Sequence, residues 1–496
     1  MTNSVLSYLE KAATKHPGKV AVAFRDDAYT YEQLRQTAQH LGYVISEIGV
    51  CNKPVAVFAE RSVDTIAYFF AALYSGNYYV PIDPNMPLEK IASIFEDAEF
   101  SVVLGPESGK SITNALDYTG TYFTKEDQGR ICAGLPHVDE NAPVYMVYTS
   151  GSTGKPKGVL KSHKAVISYI ESYCKTFAFS EDEVIGNQTP FFFDASAKDI
   201  YLMLKLGCKM EILPSTLFSL PPELIDYLNT KKVTFASWVP TVLSLVAQLN
   251  PFSMVVPETL RKLFFVGEVM PMKHLNKWRK SLPNIQYVNL YGSSEIAGIC
   301  CYHEVVGEYA DDSILPMGKP LGNCKIYLMD QEKIITEPNQ IGEMYLVSDS
   351  LALEYFHDPE KTQASFLIKD FGEGPIRCFK TGDLAQYDSE GNLLFASRTD
   401  SQIKHMGHRI ELGEIEAVAN ALPEINRCCC LYQATKKKLI LFCELSDGSK
   451  CTGQEIRSIL RGKLSDYMLP AKVNILEHMP LNANGKIDRQ FLKTQL

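Results

Sequence analysis

The chain has no excess of positive charge, no long apolar run and no paired-cysteine spacing, and each absence excludes a class of protein. Lysine and arginine number 49 against 58 aspartates and glutamates, a net charge of −9. That sign is wrong for a general nucleic-acid or anionic-membrane binder. No uninterrupted apolar stretch reaches the roughly 20 residues that cross a bilayer. The N-terminus, Met1-Thr2-Asn3-Ser4-Val5-Leu6, lacks a basic segment followed by an apolar core, so neither a membrane span nor a signal peptide is expected. The 13 cysteines never fall in Cys-x-x-Cys spacing. Cys428-Cys429-Cys430 lies in an apolar strand-like run, where neighbours point to opposite faces, which suits neither zinc nor a simple disulfide. The cysteines read as reduced, mostly buried thiols of a cytoplasmic protein. Internal repeats and low-complexity segments are absent as well.

What is present is an ordinary globular composition, 46% hydrophobic and 22% charged, in 496 residues. That length exceeds the size at which one hydrophobic core stops growing, so two or more domains are expected. Short Val/Ile/Phe-rich runs alternate with helical patterns. Val55 to Phe58 precedes a helix over Val63 to Tyr74, and a helix over Leu88 to Asp97 precedes Ser101 to Leu104. Val233 to Ala236 precedes a helix over Val242 to Gln248, and Lys262 to Val266 leads into Met272 to Lys280. This rhythm predicts an α/β fold, a large N-terminal domain of mainly parallel sheets with helices. From about Gly307 the pattern turns to strands and turns, such as Ile341 to Val347, a small β-rich subdomain. The last hundred residues read as a small α+β domain: helices over Leu412 to Ala421 and Gly453 to Leu464, and a strand pair Cys428 to Tyr432 with Lys438 to Glu444. The boundary is placed at the polar segment Arg398-Thr399-Asp400, giving domains 1–399 and 400–496.

The densest local signal is Tyr148-Thr149-Ser150-Gly151-Ser152-Thr153-Gly154-Lys155-Pro156-Lys157-Gly158, directly after the apolar run Val144 to Val147. A strand ending in such a loop gathers backbone N–H groups, hydroxyl donors and positive charge at one point, as a polyphosphate requires. A Walker A loop cannot be laid over it.

With this loop stand Tyr78-Tyr79-Val80-Pro81-Ile82-Asp83-Pro84, Phe193-Asp194-Ala195-Ser196, Tyr291-Gly292-Ser293-Ser294-Glu295, Lys380-Thr381-Gly382-Asp383, the segment from Ser397-Arg398-Thr399-Asp400 to Glu416, and Asn484-Gly485-Lys486-Ile487-Asp488-Arg489. Each alone is weak. In this order and over essentially the whole chain they resemble the adenylate-forming enzymes, the superfamily of acyl-CoA synthetases, luciferases and the adenylation domains of peptide synthetases.

The resemblance implies ATP-dependent activation of a carboxylate, with pyrophosphate as leaving group. Both reactants are anions, so positioning and charge neutralisation carry most of such catalysis. It implies that Thr149, Ser150, Gly151, Ser152, Thr153, Gly154 and Lys157 hold the phosphates, and that Tyr291, with Gly292 and Ser294 beside it, stacks on adenine. By the same resemblance Asp383 matches the carboxylate that takes the ribose hydroxyls, and Arg398 matches a ribose and phosphate contact. Glu295 resembles the glutamate that helps hold Mg2+ on the phosphates, a task for oxygen ligands. Lys486 matches the catalytic lysine that meets the carboxylate and α-phosphate, and Asp400 matches the hinge about which the small domain rotates. Gly407 matches a loop lining the thiol tunnel. Two departures are Ser397 for a frequent Gly and Ser293-Ser294 for Pro-Thr; neither removes a charge, and Ser294 keeps a hydroxyl beside Glu295.

Asp194 matches the aspartate that binds the α-ammonium in amino-acid-activating relatives, which points to an amino acid substrate; an N-cap is its structural alternative. The specificity positions carried over are Ala195, Lys198, Ser237, Phe264, Val266, Leu290, Gly298 and Ile299. Lys198 would favour an acidic side chain, or else pairs locally with Asp194 or Asp199. Phe265-Val266-Gly267-Glu268-Val269-Met270-Pro271 resembles D-alanine–carrier protein ligases, although Val266 replaces the cysteine expected there. Neither a Gly-Gly-[His/Asp]-Ser carrier segment nor a His-His-x-x-x-Asp-Gly motif is present. A separate carrier protein with a phosphopantetheine arm, or coenzyme A, is therefore expected to supply the thiol. The alternatives are an acyl- or aryl-CoA synthetase and a non-catalytic nucleotide-binding descendant; the joint presence of Lys157, Glu295, Asp383, Arg398 and Lys486 argues against the second.

Overall fold

The computed structural model describes residues 4–127, 138–149, 156–398, 402–446, 448–480 and 487–496. Ser150, Gly151, Ser152, Thr153, Gly154, Asp400 and Lys486 lie outside the described residues. The chain divides into two compact units. One comprises Met1–Pro84, Ala98–Val147 and Gly158–Thr399; the other comprises Asn85–Asp97, Tyr148–Lys157 and Asp400–Leu496.

A nine-stranded sheet forms the backbone of the larger unit. Its centre runs Gln286–Tyr291, Lys262–Val266, Phe235–Trp238, Val184–Asn187, Lys209–Ile212 and Val20–Phe24, each parallel to the next. Antiparallel strands close both edges. A seven-stranded sheet carries the parallel strands Pro54–Phe58, Tyr78–Ile82 and Val102–Leu104, together with Pro143–Thr149 and Lys157–Ser162. Strands buried on both faces read as continuous apolar runs, and all five residues of Pro54–Phe58 and of Tyr78–Ile82 are buried. A six-stranded sheet with antiparallel pairings, including Gly342–Ser348 and Pro375–Tyr387, makes the β-rich part.

The helices over Val63–Tyr74 and Met272–Ser281 fall where the apolar spacing places them. The helix expected over Val242 to Gln248 starts earlier, at Pro240, a first-turn position where the missing N–H costs nothing. Asp194–Ser196 forms a single 3-10 turn ahead of the helix Ala197–Leu206.

In the smaller unit the helices Leu412–Asn420 and Gly453–Arg461 accompany a sheet of Ile425–Gln433, Lys438–Leu445 and Lys472–Leu476. Thr452 and Glu455 form a reciprocal cap at the start of the second helix. Cys428 and Cys430 belong to one apolar cluster and Cys429 to another, as strand alternation requires. Among the described residues every cysteine is a free thiol, and no helix is long and apolar enough to cross a membrane.

Candidate active site

The strand pair Pro375–Tyr387 and Leu393–Arg398 places Asp383 directly opposite Arg398. Arg398 Nη1 donates to Asp383 Oδ1, and the Tyr291 hydroxyl donates to Asp383 Oδ2. The Thr381 hydroxyl steadies the turn, accepting from the Asp383 amide at 3.0 Å and donating to the Met344 carbonyl at 2.8 Å. Burial, reinforced by the Asp383 charge, holds the Tyr291 phenol well above its ordinary range, so it acts as a donor. Three residues singled out separately for a nucleotide thus form one hydrogen-bonded group.

Tyr291 also opens the segment that reaches Ile299. The chain turns back on itself there, with the Cys300 amide bonded to the Tyr291 carbonyl at 2.8 Å. A Cβ on Gly292 would stand 2.5 Å from the Gly298 carbonyl oxygen and 2.9 Å from Ile299 Cα, so only glycine allows this approach. Ser294 is half-buried in the turn and Glu295 is fully buried. The Tyr355 hydroxyl donates to Glu295 Oε1 at 2.8 Å, and the Ala352 amide bonds the Glu295 carbonyl at 2.9 Å. Tyr355 is positioned because Glu354–Tyr355 pairs antiparallel with the strand holding Val159 and Leu160.

Asp194 is not a helix cap; the residue before the helix is Ser196, which makes no side-chain cap bond. Its carboxylate faces a buried cluster. The Tyr145 hydroxyl donates to Oδ1 at 2.8 Å, and the Lys161 ammonium bonds the same oxygen. Lys161 has no exposed side chain. Its remaining hydrogen bonds go to the Ile296 carbonyl at 3.1 Å and the Tyr145 hydroxyl at 3.3 Å. Burial lowers the Lys161 amine and raises the Asp194 carboxyl, each opposed by the charge of the other. Tyr145 is fixed by stacking on Tyr79, ring centroids 5.4 Å apart.

Four of the carried-over specificity positions, Ser237, Phe264, Val266 and Leu290, share one face of the nine-stranded sheet. Ser237 lies beside Phe264, and Val266 beside Leu290, on neighbouring parallel strands. Laterally paired residues, and those two apart on a strand, point the same way. Gly298, at φ +92°, has the Tyr169 ring where its Cβ would be, at 2.3 Å. Tyr169 tilts against Tyr173, and Tyr173 meets Phe264 edge-on at 6.4 Å. Ile299 is buried in the same core. Lys198 is occupied locally: its ammonium is 3.1 Å from Asp199 Oδ1 and 3.1 Å from the Ala195 carbonyl. The structure therefore supplies the local ion pair, through Asp199 rather than Asp194.

Thr149 ends its strand with Oγ1 buried and without a hydrogen-bond partner among the described residues. Lys157 is the first residue of the next strand. In the smaller unit, the Asp488 amide bonds the Pro480 carbonyl at 2.8 Å, and Arg489 Nη2 bonds both oxygens of Glu416 at 2.8 and 2.6 Å. The residues that flank 481–486 are thus tied to the sheet and its first helix. Among the described residues no group of three or more His, Cys, Asp or Glu could hold a metal ion.

Sequence reasoning missed Lys161, Tyr145, Tyr355 and Tyr169. The one available signal was Lys161 itself, a lysine directly after the run Gly158-Val159-Leu160 and soon after the Gly/Ser-rich segment.

The family described as "AMP-binding enzyme" matches residues 9–356, and "AMP-binding enzyme C-terminal domain" matches 414–486. Tyrocidine synthase 2 of Brevibacillus parabrevis is 30% identical over 99% of this chain, which spans 13% of that protein's length. Zwittermicin A synthase ZmaJ of Bacillus cereus is 30% identical, covering 99% of this chain and 95% of its own length. Holo-PA1221, described as an NRPS protein containing adenylation and PCP domains, superposes with a TM-score of 0.85 at 24% identity, over 99% of this chain and 84% of that one. The chain belongs to the AMP-binding enzyme family, the adenylate-forming superfamily.

Proposed function

We propose that this protein activates an amino acid as its aminoacyl-adenylate, releasing pyrophosphate, and passes the acyl group to the phosphopantetheine thiol of a separate carrier protein. The observation that carries the reading is the single segment Tyr291 to Ile299. One end bonds Asp383, its middle buries Glu295 and meets Lys161, the partner of Asp194, through the Ile296 carbonyl, and its far end meets Tyr169. A nucleotide-facing group and an acid-facing group are therefore held in fixed register by nine residues.

In this reading Asp383 accepts from the ribose hydroxyls, with Arg398 and Tyr291 setting its orientation, and Tyr291 presents its ring to adenine. Thr149, Ser150, Gly151, Ser152, Thr153, Gly154 and Lys157 bind the phosphates of ATP. A carboxylate oxygen of the substrate attacks the α-phosphorus while the bond to the pyrophosphate oxygen breaks. Lys486 neutralises the charge gathered there. Magnesium, when bound, offsets phosphate charge. Glu295 would contribute a carboxylate oxygen to it. The Tyr169 ring at Gly298 favours a small or medium side chain. Residues 1–399 form the large domain, and 400–496 form the small domain that turns at Asp400 to expose the adenylate to the thiol. The free cysteines accord with the cytoplasm.

The test is exchange of labelled pyrophosphate into ATP across L- and D-amino acids. One or a few amino acids should support exchange, and Lys486→Ala should slow it about 100-fold or more, the scale of removing one transition-state charge contact. Binding of ATP without exchange by any carboxylic acid would remove the proposal.

A further inference from the structure

The carboxylate that would read a substrate's ammonium already has an ammonium of its own. Lys161 is fully buried and bonds three acceptors: Asp194 Oδ1, the Tyr145 hydroxyl and the Ile296 carbonyl. An ammonium has three N–H donors, so none is left for a ligand. Lys161 is therefore a fixed internal counterion and not a substrate contact. Asp194 is 13% exposed in its side chain. The bonds it receives fall on Oδ1, and Oδ2 takes none among the described residues. The substrate would meet Oδ2 of a carboxylate whose charge is balanced from behind.

That balance changes what the site can distinguish. A buried carboxylate without a counterion is costly, and a bound ammonium relieves it; an acid lacking that ammonium leaves the charge stranded and is rejected. With Lys161 in place the Asp194 charge is not stranded. A hydroxyl at the α-carbon can donate to Oδ2 as the ammonium would, losing only the charge assistance. An incoming ammonium, in turn, shares Asp194 with a cation already bonded to it.

We propose that Lys161 is a specificity-determining residue, and that this enzyme activates 2-hydroxy acids alongside the corresponding 2-amino acids. The inference rests on the adenylation reading and narrows its substrate class. Glu295, whose Oε1 accepts from Tyr355, is the second carboxylate whose charge reaches this pair.

The experiment is pyrophosphate exchange with matched pairs, each amino acid against the 2-hydroxy acid of the same side chain. For the wild type the ratio of kcat/KM should stay within about tenfold, where a site demanding the polar group rejects its absence by about 10⁴. Lys161→Met strands Asp194, and the ratio should rise at least about tenfold in favour of the amine, because the substrate becomes the only counterion. Should that variant fail to fold, Lys161→Met with Asp194→Asn removes both charges together; its amine-to-hydroxyl ratio should fall below that of the wild type, and a ratio that rises instead overturns the proposal. A wild-type ratio above about 1,000, or a ratio unmoved in Lys161→Met, overturns the proposal and leaves adenylation standing. Exchange with neither class of acid overturns both.

Discussion

Individual side chains at this site are held by partners that the linear motif does not reveal. Lys198 shows this most plainly. As one position in a row of specificity residues it suggests an acidic substrate. In the folded chain its ammonium is 3.1 Å from the carboxylate of Asp199, which is itself fully buried and bonded by Asn187 at 2.9 Å. Burial pushes the Asp199 carboxyl up, and the Lys198 charge and the Asn187 amide oppose that rise. Removing one member of a buried pair leaves a stranded charge, which costs about 3–5 kcal/mol. Lys198→Met should therefore lower urea-unfolding stability by roughly that amount, and the ranking of acidic over neutral amino acids in the exchange assay should not shift. A variant of wild-type stability that has lost activity toward glutamate or aspartate alone would restore Lys198 as a substrate contact.

At the scale of elements, the segment Tyr291 to Ile299 matters more than any single side chain in it. Its doubling back depends on Gly292, where a Cβ would collide with backbone atoms, which cannot rotate away as a side chain does. Gly292→Ala should part Tyr291 from Glu295 and Gly298, lowering exchange by about 100-fold, since displacement of reacting groups by an ångström has effects of that size. Gly18→Ala has nothing within 4 Å of the added carbon and provides the control. Equal exchange rates in the two variants would show that the doubling back is not needed. The elements themselves were largely legible beforehand: Lys262–Val266 and Val63–Tyr74 fall on their apolar runs because strand and helix periods differ. The early start at Pro240 was less legible, because proline's fit to a first helical turn competes with its role as a breaker.

Over the whole molecule, distant parts of the chain are joined at points that titrate. His163 is buried at the head of the helix His163–Phe177, and its Nδ1 accepts the Val5 amide at 3.3 Å, linking the first helix to this one. An accepting nitrogen must be unprotonated, and burial lowers this imidazole from 6.5 to about 4. The folded state thus binds the proton less readily than the unfolded chain. The stabilisation is complete above pH 6.5 and declines as pH falls toward 4, by about 2 kcal/mol between pH 7 and pH 5. His163→Asn retains an acceptor and removes the titration. Unfolding measured at pH 7 and pH 5 should show a smaller acid-induced loss in the variant; equal losses would remove His163 from the account.

The motif residues, their order and the alternation of strand and helix were determined by the sequence, because they depend on residue type and local period. Asp194, Glu295, Tyr291, Asp383 and Arg398 could all be named from their neighbours in the chain. What surrounds them was decided only by tertiary structure. Lys161 lies 33 residues from Asp194, Tyr145 lies 49 from it, and Tyr355 lies 60 from Glu295. A local pattern reports which charge is present. Whether that charge is already balanced depends on which distant strand the fold brings against it, and at Asp194 that balance sets what the site can bind.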